Sequence, residues 1–320
     1  MRISTARVKG ILTRASGFLR PVCSHSLQPY RGCSFGRALC GAGCYVQHNP
    51  WLNPEGAWGR FLEARVNAPQ VYRATYHRER AWARSRRGGF SIFMSSSTDP
   101  FVPQERRFRI TRRLLQTMTA RPPDVLILQT HTHRVLWDLD LCRRLAGCCD
   151  LRVHISIESD RNRLPGLPPP ASSVERRLEA AGRLKRAGVR VVATVAPLLP
   201  IQRPDDFFRR IRACADAVVL DHFVGGDGSR HGERTLRTAL PRSMARIDPE
   251  SVGLAYLERM VKVAREIMPG RVGVGAEGFA GRFPAAEPPG RVTERGSPSG
   301  PSSPGTAGGT PRRGRTPRQA

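Results

Sequence analysis

The sequence predicts an α/β protein built on a partial (β/α)6-type TIM barrel and followed by a disordered C-terminal tail. Short apolar or β-branched runs alternate with longer segments of helical period, about five or six times. Repeated strand–helix–strand units favour a parallel sheet, either open or curled into a barrel. Residues 281–320 are rich in Pro, Gly, Ser and Arg, so they cannot offset their ordering entropy by burial.

The predicted elements follow in chain order. Five runs predict strands: Ser91–Ser95, Val125–Leu128, Val153–Ile157, Val189–Val195 and Ala217–Leu220. Segments of helical period predict helices at Glu105–Thr119, Asp138–Leu145, Val174–Ala187, Asp205–Cys214 and Ser251–Ile267. The helix from Val174 has the clearest signals, because Ser172 and Glu175 form a capping-box pair before it and Gly188 ends it.

Three regions organise the chain: a lead-in at 1–28, an α/β core at 29–280 with a Cys-rich loop at 29–48, and the tail at 281–320. The longest apolar stretch, Val191–Ile201, is too short to span a bilayer and contains two prolines. Residues Met1–Arg20 lack the apolar core of a secretory signal. We therefore expect a cytoplasmic protein without a membrane partner, in which thiols stay free to bind metal.

The net charge of +27 suggests a polyanionic partner such as a nucleic acid. The basic residues are almost all Arg, however, because only Lys9, Lys185 and Lys262 are lysines. Arg is also spread along the whole chain. A genome-wide bias toward Arg codons therefore explains the composition better, and a nucleic-acid substrate stays as the alternative.

Cys33, Cys40 and Cys44 place three soft ligands in one Gly-rich loop. Three thiolates on a four-iron cluster leave one iron open to a substrate or cofactor, which points to chemistry. A rival set adds His48, since three Cys and one His form a legitimate tetrahedral zinc site.

Polar residues follow four of the predicted strands. Catalytic groups of barrel folds gather at the carboxyl ends of strands, so these positions are candidates for a common site. His131 and His133 could face a substrate or a second metal, although a polar loop is the commoner explanation. The polar segments are Ser95–Asp99, Gln129–His133, Glu158–Asp160 and Asp221–His222.

Several segments resemble the radical SAM superfamily, and within it the spore photoproduct lyase-like group. They span about Ile11 to Val224 and include Ile11–Thr13, Ser16–Phe18, Ser26–Gly36, Ser97–Phe101 with Pro103 and Glu105, Asp138–Leu141, Ser173–Leu178, Ala187–Val189 and Val195–Pro197. The resemblance implies a TIM barrel of the radical SAM kind. It also implies a [4Fe-4S] cluster on Cys33, Cys40 and Cys44.

In this family S-adenosyl-L-methionine binds the fourth iron, and its reductive cleavage gives a 5′-deoxyadenosyl radical that abstracts hydrogen from substrate. The resemblance therefore implies an enzyme of unidentified substrate with an electron donor such as a flavodoxin or ferredoxin. It carries Thr98 and Asp99 to the methionine amino group of the cofactor. Ser156 and Glu158 correspond to the positions that contact the ribose.

The Cys spacing departs from the family pattern. Six residues separate Cys33 from Cys40 and three separate Cys40 from Cys44, where the family has three and two. Gly43 occupies the position of the adenine-contacting aromatic, and Tyr45 is the nearest substitute. A zinc- or iron-sulfur-containing nucleic-acid-binding protein without catalysis is therefore an alternative, as is a homologue that has lost turnover.

Spore photoproduct lyase also needs a cysteine that returns a hydrogen atom to the repaired base. The cysteines outside the loop that could serve are Cys142, Cys148, Cys149 and Cys214, and none has a context that aligns with the family. The sequence therefore gives no prediction of thymine-dimer repair.

Overall fold

The computed structural model describes residues 1–54 and 56–284. Its strands are β1 (Arg2–Ala6), β2 (Leu12–Arg14), β3 (His25–Leu27), β4 (Tyr30–Gly32), β5 (Phe61–Arg65), β6 (Ser91–Met94), β7 (Val125–Thr130), β8 (Asp150–Ser156), β9 (Arg190–Val195), β10 (Ala217–Leu220) and β11 (Val272–Val274). Eight of them form the main sheet in the order β11-β10-β9-β8-β7-β6-β3-β2. All neighbours in it are parallel except β2 and β3.

Helices connect most of these strands. They are α1 (Leu39–Ala42), α2 (Ala68–Arg87), α3 (Glu105–Phe108), α4 (Ile110–Ala120), α5 (Leu139–Ala146), α6 (Val174–Arg186), α7 (Pro204–Cys214), α8 (Phe223–Gly226), α9 (Glu233–Leu236), α10 (Leu240–Ala245), α11 (Leu254–Ile267) and α12 (Gly275–Phe279). Short 3-10 turns occupy Gly17–Leu19, Tyr45–His48, His133–Asp138 and Pro249–Val252. None of the helices in the described part of the chain has the length and apolar character needed to cross a membrane.

The strands are apolar on both faces because both faces are covered. Leu126 and Leu128 of β7 belong to the larger core cluster, whereas Ile127 between them packs in a second cluster with Phe93 and Phe279. Alternate residues of one strand therefore serve two hydrophobic layers. This double burial explains why the sequence reads as short apolar runs rather than as alternating patterns.

Barrel closure is where the fold differs from the expected barrel. Within residues 1–54 and 56–284 the outer strands β2 and β11 do not pair, so the sheet stays open. Helix α12 occupies the inner face instead, and the Phe279 ring lies 6.2 Å from Phe93, 5.9 Å from His154 and 5.7 Å from Phe18. These ring contacts cover one face of the open sheet.

A second, smaller sheet has the order β1-β5-β4. Strand β1 runs parallel to β5, and β4 runs antiparallel to it. The Cys-rich loop leaves β4 directly, so this sheet fixes where the loop begins. The lead-in predicted at 1–28 contains β1, β2 and β3, to which the sequence analysis assigned no elements. Most of the predicted tail, residues 285–320, lies outside the described residues.

Three helix predictions need correction. The predicted helix Glu105–Thr119 is two helices, because Arg109 has a φ of 52° and separates α3 from α4. The predicted helix Ser251–Ile267 begins only at Leu254, after a 3-10 turn. Helix α6 is capped by Ser173, which accepts from the Arg176 N–H at 3.3 Å, and not by Ser172.

Candidate functional site

The Cys-rich loop turns sharply after β4. Gly32 has a φ of 79°, and the Cys33 N–H donates to the Phe61 carbonyl at 3.0 Å. The loop then packs on itself, since a Cβ at Gly41 would lie 1.9 Å from the Phe35 carbonyl oxygen. A side chain at Gly41 is therefore excluded by backbone, and the glycines of this loop are required by its shape.

The three loop thiols are neighbours in a desolvated environment. Cys33 is buried, Cys40 and Cys44 are half-buried, and none forms a disulfide. Burial, followed by the nearby Cys44, raises the pKa of Cys33 to about 12. Burial, followed by Cys33, raises the pKa of Cys40 well above its usual value, and burial raises the pKa of Cys44 to about 11. The thiols therefore stay protonated until a cationic group compensates them.

Within the described residues, no three His, Cys, Asp or Glu side chains converge as the ligands of a single metal ion. His48, the fourth member of the rival zinc set, faces Arg237, which together with burial lowers the pKa of His48. A single zinc ion needs all its ligands around one point, whereas a four-iron cluster binds each cysteine through a different iron. The three loop thiols and His48 therefore do not meet around one point as the ligands of a single zinc ion would.

Asp99 lies in the loop after β6 and is fixed by the next strand. Its Oδ1 accepts from the Phe101 N–H at 2.8 Å, its Oδ2 accepts from the His131 N–H at 2.7 Å, and the Thr130 hydroxyl donates to both oxygens. Burial raises the pKa of Asp99, and the charge of His131 and these hydrogen bonds oppose the rise. The preceding Thr98 hydroxyl donates to the Gly32 carbonyl at 2.7 Å, which ties the strand end to the Cys-rich loop.

Glu158 follows β8 and lies between two cationic side chains. Its Oε1 is 2.9 Å from His131 Nδ1, and its Oε2 accepts from Arg177 Nη1 at 2.5 Å. Burial alone would raise the pKa of Glu158, but Arg177 and His131 hold it well below its usual range. Burial would likewise lower the pKa of His131, yet the hydrogen bond and charge of Glu158 raise it. The group is thus a buried, charge-balanced cluster.

Ser156 ends β8 and points into a polar group inside the sheet. Its hydroxyl accepts from Gln129 Nε2 at 2.7 Å and lies 3.2 Å from the Thr194 hydroxyl. Its carbonyl accepts from Arg177 Nη1 at 2.6 Å. Ser156 is therefore occupied by the protein itself, while its backbone carbonyl helps to anchor the cation that pairs with Glu158.

Tyr45 lies on the other side of the Cys-rich loop, directly after Cys44. Its side chain is half-buried, and its pKa is raised by burial and then by the Cys44, Asp227 and Asp221 charges, with Arg234 opposing. Asp221 follows β10 at the same end of the sheet. The structure thus puts Tyr45 near the carboxylates of Asp227 and Asp221, which follow β10.

The strand ends therefore form two flanks around the three thiols. Asp99 and Glu158 belong to the first flank, and their charges contribute to the raised pKa of Cys40. Tyr45 and Asp221 belong to the second flank, beside Cys44. Sequence reasoning missed Arg177 altogether, since one buried Arg has no distinguishing signal among so many. It noted His131 without identifying Glu158 as its partner.

The remaining cysteines are away from this edge. Cys142 is buried on α5, and Cys214 is buried at the end of α7. Cys148 and Cys149 precede β8 and so lie at the opposite edge of the parallel sheet. Burial raises the pKa of Cys23 to about 12, which makes it an inert core thiol.

A basic surface with an exposed aromatic adjoins the first flank. Trp137 is 36% exposed, and the guanidinium groups of Arg106 and Arg134 lie 5.3 and 5.8 Å from its ring. Arg134 also lies 5.8 Å from the ring of Phe35 in the Cys-rich loop. An open surface cavity of about 460 Å³ lies on α3 and α4, lined by Phe108, Arg109, Arg112, Arg113 and Gln116. We call Trp137, Arg106, Arg134 and the five residues that line this cavity the Trp137 surface.

Two curated relatives match part of the chain. The uncharacterized protein MJ0683 of Methanocaldococcus jannaschii is 25% identical over 181 residues, which cover 56% of this chain and 62% of that protein. The uncharacterized protein ORF301 of Acidianus two-tailed virus is 29% identical over 147 residues, 45% of this chain and 44% of its own. The chain thus spans less than two thirds of the length of these relatives. No family model matches the chain.

Solved structures of spore photoproduct lyase share the fold. A point mutant with dinucleoside spore photoproduct superposes with a TM-score of 0.57 at 16% identity, covering 85% of this chain and 80% of the lyase. A second structure of the mutant gives a TM-score of 0.55 at 17% identity, with coverage of 85% and 81%. The likeness at this identity is one of fold: a mixed α/β architecture with a mostly parallel sheet, similar to that of a radical SAM enzyme.

Proposed function

We propose that this protein is a radical SAM enzyme that binds a [4Fe-4S] cluster through Cys33, Cys40 and Cys44 and abstracts hydrogen from a nucleic-acid substrate. The observation that carries the proposal is the meeting of three neighbouring thiols with the strand-end carboxylates on the fold that spore photoproduct lyase shares. A structural metal site explains the thiols alone. It gives no role to the ordered carboxylates beside them.

The residues of the loop fit a cluster. The thiols are soft donors that burial keeps away from water, and Gly41 lets the loop pack on the Phe35 carbonyl without a side chain between them. When bound, the cluster and S-adenosyl-L-methionine supply a 5′-deoxyadenosyl radical on one-electron reduction by a donor such as a flavodoxin or ferredoxin.

The first flank would hold the cofactor. Asp99, pinned by three donors, keeps its carboxylate in one position, where it can accept from an amino group. Glu158 remains ionised because Arg177 and His131 compensate its charge, so it can accept from ribose hydroxyls. Thr98 positions this flank through the Gly32 carbonyl, and Tyr45 would form the opposite wall against the adenine.

The Trp137 surface supports the choice of substrate. An exposed ring between two guanidinium groups offers a platform for stacking a base, with cations for the flanking phosphates. Among the described residues the exposed Arg106, Arg109 and Arg113 form no ion pair, so their charge is available to phosphates. Arg134 of this surface lies 5.8 Å from the ring of the buried Phe35 in the Cys-rich loop, so a strand bound at Trp137 would lie beside the loop.

The test is anaerobic reconstitution with iron and sulfide. EPR of the dithionite-reduced protein, with and without S-adenosyl-L-methionine, is recorded beside an assay of 5′-deoxyadenosine. We expect a cubane signal that the cofactor shifts, and release of the nucleoside. Cys40→Ala should lose the bound iron, whereas the matched control Cys142→Ala should retain it.

A colourless protein that holds zinc, or a cluster that ignores the cofactor, would refute the catalytic proposal. If such a protein still bound oligonucleotides, the Trp137 surface would belong to a nucleic-acid-binding protein without catalysis. Full iron and sulfide in the Cys40 variant would refute the ligand assignment.

A further inference from the structure

Three acidic side chains at the carboxyl ends of the strands differ in how they are compensated. Asp99 accepts from two backbone N–H groups and one hydroxyl, and Glu158 is paired with Arg177 and His131. Asp221 has no side-chain donor or ion pair among the described residues, and its interaction is with the backbone of His222. The chain has 53 basic and 26 acidic residues, yet none of the described basic side chains forms an ion pair with Asp221.

The surroundings of Asp221 leave room for its carboxylate. A Cβ at Gly226 would lie 2.5 Å from Oδ2, and a Cβ at Gly275 would lie 3.8 Å from Oδ1. Two glycines, one after each of the neighbouring strands β10 and β11, therefore border the two oxygens. Gly226 in particular cannot bear a side chain unless the carboxylate moves.

Three other polar side chains on this flank, Asp227, Arg234 and His222, already have hydrogen-bond partners. Asp227 accepts from the Thr235 N–H at 2.7 Å and the Ser229 N–H at 2.9 Å, and Arg234 donates to the Asp227 carbonyl at 3.1 Å. His222 Nε2 lies 3.1 Å from the Ser251 carbonyl. Among the described residues Asp221 is thus the carboxylate of this flank with no side-chain donor, and it is only partly buried. Burial raises the pKa of Asp221 to about 7, and N–H donors from a ligand would favour its ionised form.

We infer that Asp221 binds the substrate, by accepting two hydrogen bonds from a pair of adjacent N–H donors. The inference rests on the proposed function, because it takes Asp99 and Glu158 of the first flank as cofactor-binding residues and Asp221 of the second flank as a substrate-binding residue. Two oxygens of one carboxylate match two parallel N–H groups. In a nucleic acid the base edge with that pattern is guanine, whose ring N–H and 2-amino group are adjacent.

The experiment compares oligonucleotides that differ in one group. The probes are fluorescein-labelled single strands of ten thymidines with one central guanine, hypoxanthine or adenine nucleotide inserted among them. Fluorescence anisotropy measures the binding of each strand to the reconstituted protein. Hypoxanthine is the matched probe, because it lacks only the 2-amino group of guanine. We expect the guanine strand to bind about tenfold tighter than the hypoxanthine strand.

Two variants separate charge from position. Asp221→Asn keeps the size of the side chain but puts an NH2 group opposite one of the two N–H donors of guanine, so the tenfold preference should disappear. Gly226→Ala keeps the carboxylate but displaces Oδ2, and it should reduce the preference as well. Asp205→Asn, which removes an exposed carboxylate on α7, should leave the preference unchanged. Iron content and circular dichroism establish that each variant is folded.

The outcomes distinguish this inference from the function on which it rests. Equal binding of the guanine and hypoxanthine strands, or a preference that survives Asp221→Asn, would overturn the role of Asp221 and leave the nucleic-acid proposal standing. Failure of the wild-type protein to bind any strand would overturn the nucleic-acid substrate, and the assignment of Asp221 with it. A preference lost in both variants and kept in the control would establish the contact.

Discussion

Replacing Arg177 by Met tests the charge balance of the first flank. Arg177 is 2% exposed, and its Nη1 donates to Glu158 Oε2 at 2.5 Å and to the Ser156 carbonyl at 2.6 Å. The methionine removes both donors and leaves Glu158 buried with His131 as its remaining partner. Removing one member of a buried ion pair costs about 3–5 kcal/mol. For a chain of this size that corresponds to a fall of roughly 10 °C in Tm.

Thermal unfolding followed by circular dichroism at pH 7 measures the effect. Arg176→Met is the matched control, because Arg176 is the exposed neighbour on the same helix and should change stability by no more than about 0.5 kcal/mol. The double variant Glu158→Gln, Arg177→Met removes the orphaned charge. It should therefore be more stable, by about 1 kcal/mol or more, than the sum of the two single effects indicates. Equal Tm values for Arg177→Met and Arg176→Met, or strict additivity, would refute the reasoning.

Three further predictions concern the basic surface, the inner face and the loop. Trp137→Ala should weaken binding of a single-stranded oligonucleotide by about tenfold through lost stacking, measured by anisotropy, while the exposed Trp51→Ala should not; equal losses would contradict a specific platform. Burial, followed by Arg152 and Arg190, lowers the pKa of His154 to about 3, so the unfolded chain takes up this proton first as the pH falls. Between pH 6.5 and 5 this should cost about 2 kcal/mol of stability, and His154→Gln should flatten the fall in Tm over that range relative to wild type; parallel curves would contradict it. Gly41→Ala should reduce bound iron after reconstitution because its Cβ meets the Phe35 carbonyl, while Gly10→Ala, with open space around it, should not; equal iron contents would contradict the steric argument.

The sequence predicted the central strands best, because burial on both faces produces compact apolar runs. The predicted runs at Val125–Leu128 and Ala217–Leu220 are strands β7 and β10 of the structure. The N-terminal strands were missed, since β2 and β3 have three residues each and give no periodicity to detect. The predicted barrel was not found for a different reason, because the pairing of strands that are distant in sequence leaves no pattern in the local sequence.

Prediction of the site from the sequence was limited because its hydrogen-bonded partners lie far apart along the chain. The order of strands indicates that polar residues after each strand lie at one edge, but not which of them pair. Arg177 lies 19 positions from Glu158, on a helix where neighbouring Arg residues are exposed. Helical period alone did not separate it from them. The carboxylate of Asp221 is noticed only when the partners of Asp99 and Glu158 are known.

The two flanks differ in how their buried negative charge is compensated. Asp99 and Glu158 raise the cost of any further negative charge near Cys40, and Arg177 with His131 offsets that cost without exposing a free cation to the thiols. A carboxylate so compensated can accept hydrogen bonds without itself demanding a counterion. Asp221 lacks such compensation. A ligand that donates hydrogen bonds to its carboxylate would therefore offset a desolvation cost that the protein's own side chains leave uncompensated. On the proposed function, the compensated carboxylates of the first flank would accept hydrogen bonds from the cofactor, and the uncompensated carboxylate of Asp221 would accept them from the substrate.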